Sequence, residues 1–361
     1  MKAWSIQSDR ASLAVTETGA HLSDVRFALG DGRTIEPMHT SPWEHEALPP
    51  DVPPILRVLR GDFFCAPFAE SDVIPTETRA HGLTANGTWQ VTGQTQRTLD
   101  LLLDGDVMGA TITGHYEVKS GQAAVYQRHT ITGGNGRIPM AHHAMLKADP
   151  PLQLAFGPHV WAGTPSTAPE SPPNGRSILA YPQDITDLTR ALLADGGTAD
   201  ITTYPFADGH EDVWMIATDA TASFGWTAAT SPDGWVWFAL KDPRILPGTV
   251  LWLSNGGRTY PPWSSRHRHV IGIEEVRSYF ANGHAASIAD NRLSRRGTPT
   301  AFDLAPGGRI VINYVFGVAP VPAGFGPVID IRPDPGGVAI TDSQGTRLHA
   351  SVDRSFLTTT D

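Results

Sequence analysis

The chain carries one cysteine, Cys65, in 361 residues. A lone thiol closes no internal disulfide, so a reducing compartment is the simpler expectation. Charge is scarce too: Asp, Glu, Lys and Arg make up 18% of the residues and the formal net charge is −10. Such a balance lacks the basic face that displaces counterions from nucleic acid. It also gives no attraction to an anionic membrane surface. No apolar run approaches the ~20 residues that a membrane span requires. The opening "MKAWSIQSDRASLAV" holds no apolar stretch of signal-peptide length, because Asp9 and Arg10 interrupt it. The expectation is a cytoplasmic protein with neither a nucleic-acid nor a membrane partner.

The common catalytic signatures are missing as well. There is no phosphate-binding loop ending in Gly-Lys-Ser/Thr, no strand-linked G-x-G-x-x-G, no HExxH and no G-x-S-x-G elbow. Paired histidines occur in "AHHA" (His142, His143) and "HRH" (His267, His269), but neither spacing supplies the three or four converging ligands of a zinc site. The "HRH" stretch, set between arginines, is expected to be a solvated loop edge. No metal and no cofactor are expected.

What the chain has in quantity is turn-forming residues, 36 Gly and 30 Pro, with 40% hydrophobic residues. Together with few Lys and Glu, these favour many short strands over helices. Period-two alternation recurs from residue 11 to 318. "ATITGHYEVK" and "AAVYQRHTIT" form a hairpin through "SGQ", and "TASFGWTAAT" and "GWVWFALKD" are joined by "SPDG". In "GRIVINYVFGV", Ile310, Ile312, Tyr314 and Phe316 share one face. Helix is expected only in "DITDLTRALLAD", where Ile185, Leu188 and Leu192 fall at helical spacing before Gly196, and in "HAASIADNRLSRRG". The fold class is therefore all-β, a large antiparallel β-sandwich. A single catalytic domain is expected over 1–320. The remainder, 321–361, reads as a C-terminal β extension with turns at "DPGG" and "DSQG".

The residues that could do chemistry lie in three segments. The first, "LRGDFFCAPF…ETRAHGLTANGTW", holds Arg60-Gly61, Pro67, Arg79, His81-Gly82 and Trp89; the second is "IPMAHHAMLKA"; the third, "SNGGRTYPPWSSRHRHVIGIEEVRSYF", holds Glu274 and Glu275. A histidine supplies a proton donor or acceptor near neutral pH. The glycine beside it lets a ligand or another backbone approach closely. In this order, the three segments resemble the aldose 1-epimerase (galactose mutarotase-like) superfamily, including its glucose-6-phosphate 1-epimerase branch. The resemblance covers about residues 11 to 318. It departs at Glu275, where a proline is common, and at "HAML", which lacks an aromatic pair.

The resemblance implies an isomerase that interconverts the α and β anomers of an aldose, with a sandwich fold and a sugar as its small-molecule partner. It assigns Glu274 as base, His143 as acid and His81 as a polarising hydrogen-bond partner. Arg60, Arg79, Asp212, Trp89 and His142 are the candidate substrate contacts. Side chains alternate along a strand, so only one of Glu274 and Glu275 can face a cleft; Glu274 is preferred, because Ile271 and Ile273 then take the opposite, core-facing side. His142 remains an alternative to His143. The other functions considered are a non-catalytic sugar-binding protein on the same fold and a different carbohydrate isomerase or lyase.

Overall fold

The computed structural model describes residues 2–360. Two antiparallel sheets form the body. The smaller runs, in order, through the strands His159–Gly163, His210–Thr218, Gly248–Asn255, Val270–Arg277, Met140–Lys147 and Phe64–Cys65. The larger has nine strands, with Trp235–Lys241, Arg309–Pro320 and Ala124–Gly133 at its centre and Trp89–Gln94 at one edge. Period-two sequence explains their face-to-face packing. Ala144, Leu146, Leu251, Leu253, Ile271 and Ile273 on the smaller sheet join Trp237, Ile312, Tyr314 and Phe316 on the larger in one buried cluster. Each such aliphatic side chain contributes roughly 1.5–3 kcal/mol by leaving water.

Alternate residues of the smaller sheet point the other way. Ala141, Met145, Val213, Val250, Trp252 and Val276 form a second cluster under the loops that carry Trp43, Phe63, Phe68 and Trp263. A third cluster covers the outer face of the larger sheet. There Trp226, Phe238 and Val315 meet Val328, Ile331, Val338 and Ile340. Those last residues belong to a three-stranded sheet, Val328–Asp334, Gly337–Asp342 and Arg347–Ser351.

One expected helix is absent. The "DITDLTRALLAD" segment makes a single 3-10 turn at Leu188–Arg190, and then Ala191–Leu192 pairs with Thr198–Ala199 as a small hairpin. The turn through Gly196 and Gly197 thus ends no helix; it reverses a strand. The second segment does form a short helix, His284–Ile288. Among the described residues, no helix is long and apolar enough to cross a membrane.

Candidate active site

A cavity of about 390 Å³ lies on the outer face of the six-stranded sheet. Strand register builds its floor. His143 pairs with Glu274 across the strands Met140–Lys147 and Val270–Arg277, and Nε2 of the histidine lies 3.1 Å from Oε1 of the glutamate. Both side chains are nearly enclosed, His143 at 5% and Glu274 at 2% exposure. Burial pushes the Glu274 carboxyl well above the usual carboxylate range, opposed by the Arg258 cation. Burial also pushes the His143 imidazole well below its ordinary value, with His81 adding to the shift. The two shifts act together: each disfavours charge, and the pair holds one proton between two sites.

Alternation separates each of these residues from its neighbour. Glu275 faces the larger sheet, where Thr227 and Thr249 donate to it at 3.0 and 2.8 Å and the Lys241 ammonium pairs with it. This explains a carboxylate on a core-facing side. His142 turns the same way, with Nδ1 3.1 Å from Asp62 Oδ2 and its ring stacked on Tyr314. It is therefore placed behind the sheet and not in the cavity.

His81 enters from the loop before the short helix Gly82–Asn86. Its backbone N–H donates to Ala69 O at 2.6 Å, and its Nδ1 accepts from the Ala69 N–H at 3.4 Å. In the neutral ring the proton then sits on Nε2, which makes that atom a donor. Burial, aided by Arg258, brings the imidazole down to about 4. The residue holds a left-handed φ of 64°, a conformation that costs of order 1 kcal/mol or more outside glycine and collects at functional sites. Its ring centroid is 5.1 Å from that of His143. Gly82 has a different purpose from the one its position suggests. A Cβ there would lie 2.1 Å from Ala66 O at φ +68°, so the glycine makes room for the protein's own backbone rather than for a ligand.

Like His142, the other four residues expected to touch substrate lie outside the cavity for identifiable reasons. Arg60 pairs with Glu44 at 3.0 Å and Arg79 with Glu77 at 2.6 Å, and neither lines the cavity. Trp89 is wholly buried in the core and donates through Nε1 to Thr84 O at 2.9 Å. Asp212 points to the inner face, where it accepts from the Leu179 N–H at 3.0 Å and the Tyr181 hydroxyl at 2.8 Å and contacts His210 at 2.7 Å. Its neighbour Glu211 takes the outer face instead. The Glu211 carboxylate accepts from Ser254 Oγ at 2.9 Å and from the Trp252 indole N–H, and lies 3.3 Å from Arg258 Nε. Burial raises its pKa, with Arg258 opposing.

Arg258 is a cavity residue that the sequence did not single out. Its guanidinium lies 4.5 Å from the Trp263 ring centroid and 5.5 Å from that of Trp252, and Nε donates to Glu170 at 2.9 Å. The available signal was its setting in "NGGRTYPPW". A Cβ on Gly257 would fall 2.2 Å from the His210 carbonyl carbon, so the glycine lets this loop press onto the neighbouring strand and present the arginine. The "HRH" stretch also differs from expectation. His267 is 2% exposed, accepts or donates at 2.7 Å with Ser254 Oγ, and stacks on Trp252. The solvated edge is Arg268, which is exposed, and His269, at 40% side-chain exposure.

This arrangement of two sheets has known counterparts. A galactose mutarotase related enzyme from Lactobacillus acidophilus superposes with a TM-score of 0.55 at 12% identity, over 89% of this chain and 99% of that one. A candidate aldose 1-epimerase from Escherichia coli K12 gives 0.57 at 12% identity, over 89% and 99%. A galactose mutarotase-like protein from Lactobacillus casei gives 0.56 at 12%, over 88% and 100%. The fold is the galactose mutarotase-like one. No family model matches the chain, and no curated protein matches it in sequence. At these identities the likeness is one of fold; the mutarotase-like architecture accounts for the sandwich, and the chemistry must be argued from the cavity.

Proposed function

We propose that the protein is an aldose 1-epimerase-like isomerase that interconverts sugar anomers with its own side chains. The observation that carries this reading is the contact between His143 and Glu274 on the floor of an aromatic-walled cavity. Anomer exchange removes the proton from the C1 hydroxyl and delivers one to the ring oxygen O5. Both oxygens are bonded to C1, so an acid and a base in contact with each other can serve both.

From the form in which the shared proton sits on His143 and Glu274 is ionised, Glu274 takes the O1 proton and His143 gives the shared proton to O5, becoming neutral imidazole; the C1–O5 bond breaks and C1 becomes the aldehyde carbon. The C1–C2 bond rotates. Imidazole then recovers the O5 proton, O5 attacks the other face, and Glu274 returns a proton to O1. The pair ends as it began, with no net proton drawn from water. A neutral Glu274–His143 pair suits burial, and Arg258 favours the carboxylate form that starts the cycle. His81, a neutral donor through Nε2, hydrogen-bonds the ring oxygen or a neighbouring hydroxyl, while Trp252 and Trp263 supply faces for the apolar side of a pyranose.

The test is anomer exchange followed by NMR at neutral pH for wild type and Glu274→Gln. General acid and base terms are each worth roughly 10²–10⁴-fold. Loss of that order in the variant is expected, and equal rates would reject the assignment.

A further inference from the structure

From the chemistry of the cavity walls, we infer that this site selects an unphosphorylated aldose whose C6 is apolar, a 6-deoxyhexose, over the parent hexose and its 6-phosphate. The inference rests on the proposed anomer exchange for its orientation, with C1 and O5 at the Glu274–His143 pair.

One wall offers only hydrocarbon. Pro53, Ile55, Leu56 and Leu59 come from a single segment around the short helix Pro54–Val58. Its backbone groups are committed elsewhere: Ile55 N–H donates to Asn86 Oδ1 at 3.0 Å, Leu56 O accepts from the Trp43 indole at 2.6 Å, and Leu59 O accepts from Ser41 N–H at 3.0 Å. The floor becomes apolar as well. From the strand of Glu274, Trp252 lies one strand away and Val213 two, a span of about 10 Å at ordinary strand spacing.

The polar side chains are few. With Glu274 and His143 occupied at O1 and O5, His81, Arg258 and Glu70 remain for the hydroxyls at C2, C3 and C4. The wall of Pro53, Ile55, Leu56 and Leu59 offers no side-chain partner to a hydroxyl at C6, and enclosing that hydroxyl against it without a partner costs about 1–3 kcal/mol. A phosphate fares worse. It calls for converging cations, whereas Arg258 is shared by Glu170 and Glu211. Arg60 and Arg79 are paired with Glu44 and Glu77 outside the cavity.

The experiment compares D-galactose, 6-deoxy-D-galactose and D-galactose 6-phosphate, with the matching glucose series, by NMR anomer exchange. The expected kcat/KM is about 10–100-fold higher for the 6-deoxy sugar than for its parent, the range an apolar pocket achieves against one added hydroxyl, and lowest for the phosphate. A parent hexose or 6-phosphate exchanged as fast as the 6-deoxy sugar overturns the inference. Tryptophan fluorescence titrations with the same sugars separate this from the catalytic reading. Binding in the order 6-deoxy, parent, phosphate without exchange would sink the epimerase and leave the selectivity standing. Exchange with no such order would do the reverse. Leu56→Ser, at a half-buried wall position, should bring the two rates towards each other.

Discussion

Nε2 of His143 and Oε1 of Glu274 are held 3.1 Å apart by paired strands, while His142 and Glu275, one residue along each strand, are paired in the same register on the opposite face. The two adjacent glutamates therefore answer to different tests. Glu274→Gln is expected to abolish anomer exchange with little loss of stability, since burial already disfavours its charge. Glu275→Gln removes the carboxylate beside the buried Lys241 ammonium, and leaving such a charge unpaired costs about 3–5 kcal/mol. Denaturant melts and NMR exchange on both variants give this double contrast; a Glu275 variant that melts like wild type would remove the structural role assigned to it.

The alkaline limb of activity should be set by the raised carboxyl. The working pair carries one proton between Glu274 and His143, and burial raises the pKa of Glu274 and lowers that of His143; activity is lost as pH rises through the raised value, where the pair gives up the proton that His143 must deliver. Arg258 acts on Glu274 in the opposite sense to burial. Arg258→Met is therefore expected to move the alkaline limb of kcat/KM to still higher pH. A profile that does not move would show that the guanidinium has no influence on the base.

Gly82 and His81 are adjacent but should respond differently. Gly82→Ala brings a methyl group to within 2.1 Å of Ala66 O at a left-handed φ. The backbone strain alone amounts to about 1–3 kcal/mol, so a lower melting temperature is expected. His81→Ala keeps the backbone contact with Ala69 and should fold, with turnover reduced. If His81→Ala does not fold, its role is structural.

Stability should fall on mild acidification. Burial lowers His21 and His39 from 6.5 to about 3. Because the unfolded chain binds their protons first, the stability these neutral rings contribute is full above about pH 6.5. It declines as pH drops to about 3, by up to about 1.4 kcal/mol per unit for each group. Denaturant midpoints at pH 7, 6, 5 and 4 measure the slope, and His39→Gln should flatten it. An unchanged slope in that variant would contradict the assignment.

How much of this could be read in the sequence depended on which residues period two could resolve. Ile271 and Ile273 identified the inner face of their strand, which by alternation alone assigned Glu274 to the other side. No such flanking pattern distinguished Glu211 from Asp212 in "HEDVWMI", because the strand is buried throughout and both faces are apolar; the resemblance pointed to the residue that faces inward. The helix expected over "DITDLTRALLAD" failed because spacing alone cannot see the partner strand at Thr198–Ala199. Arg60 was beyond reach, because its partner Glu44 comes from a loop whose path no local pattern fixes; the partner of Arg79, by contrast, stands two residues before it at Glu77, and Arg258 owes its place to the packing of Gly257 on His210.

The cladding of the larger sheet by strands 328–351 bears on how the chain can be shortened. Trp226, Phe238 and Val315 sit dry only because Val328, Ile331, Val338 and Ile340 lie over them. A version cut after Pro320 would uncover a sticky plate on the side of the molecule away from the cavity. Its first symptom would be clumping during expression, arriving before any change at the Glu274–His143 pair could be measured.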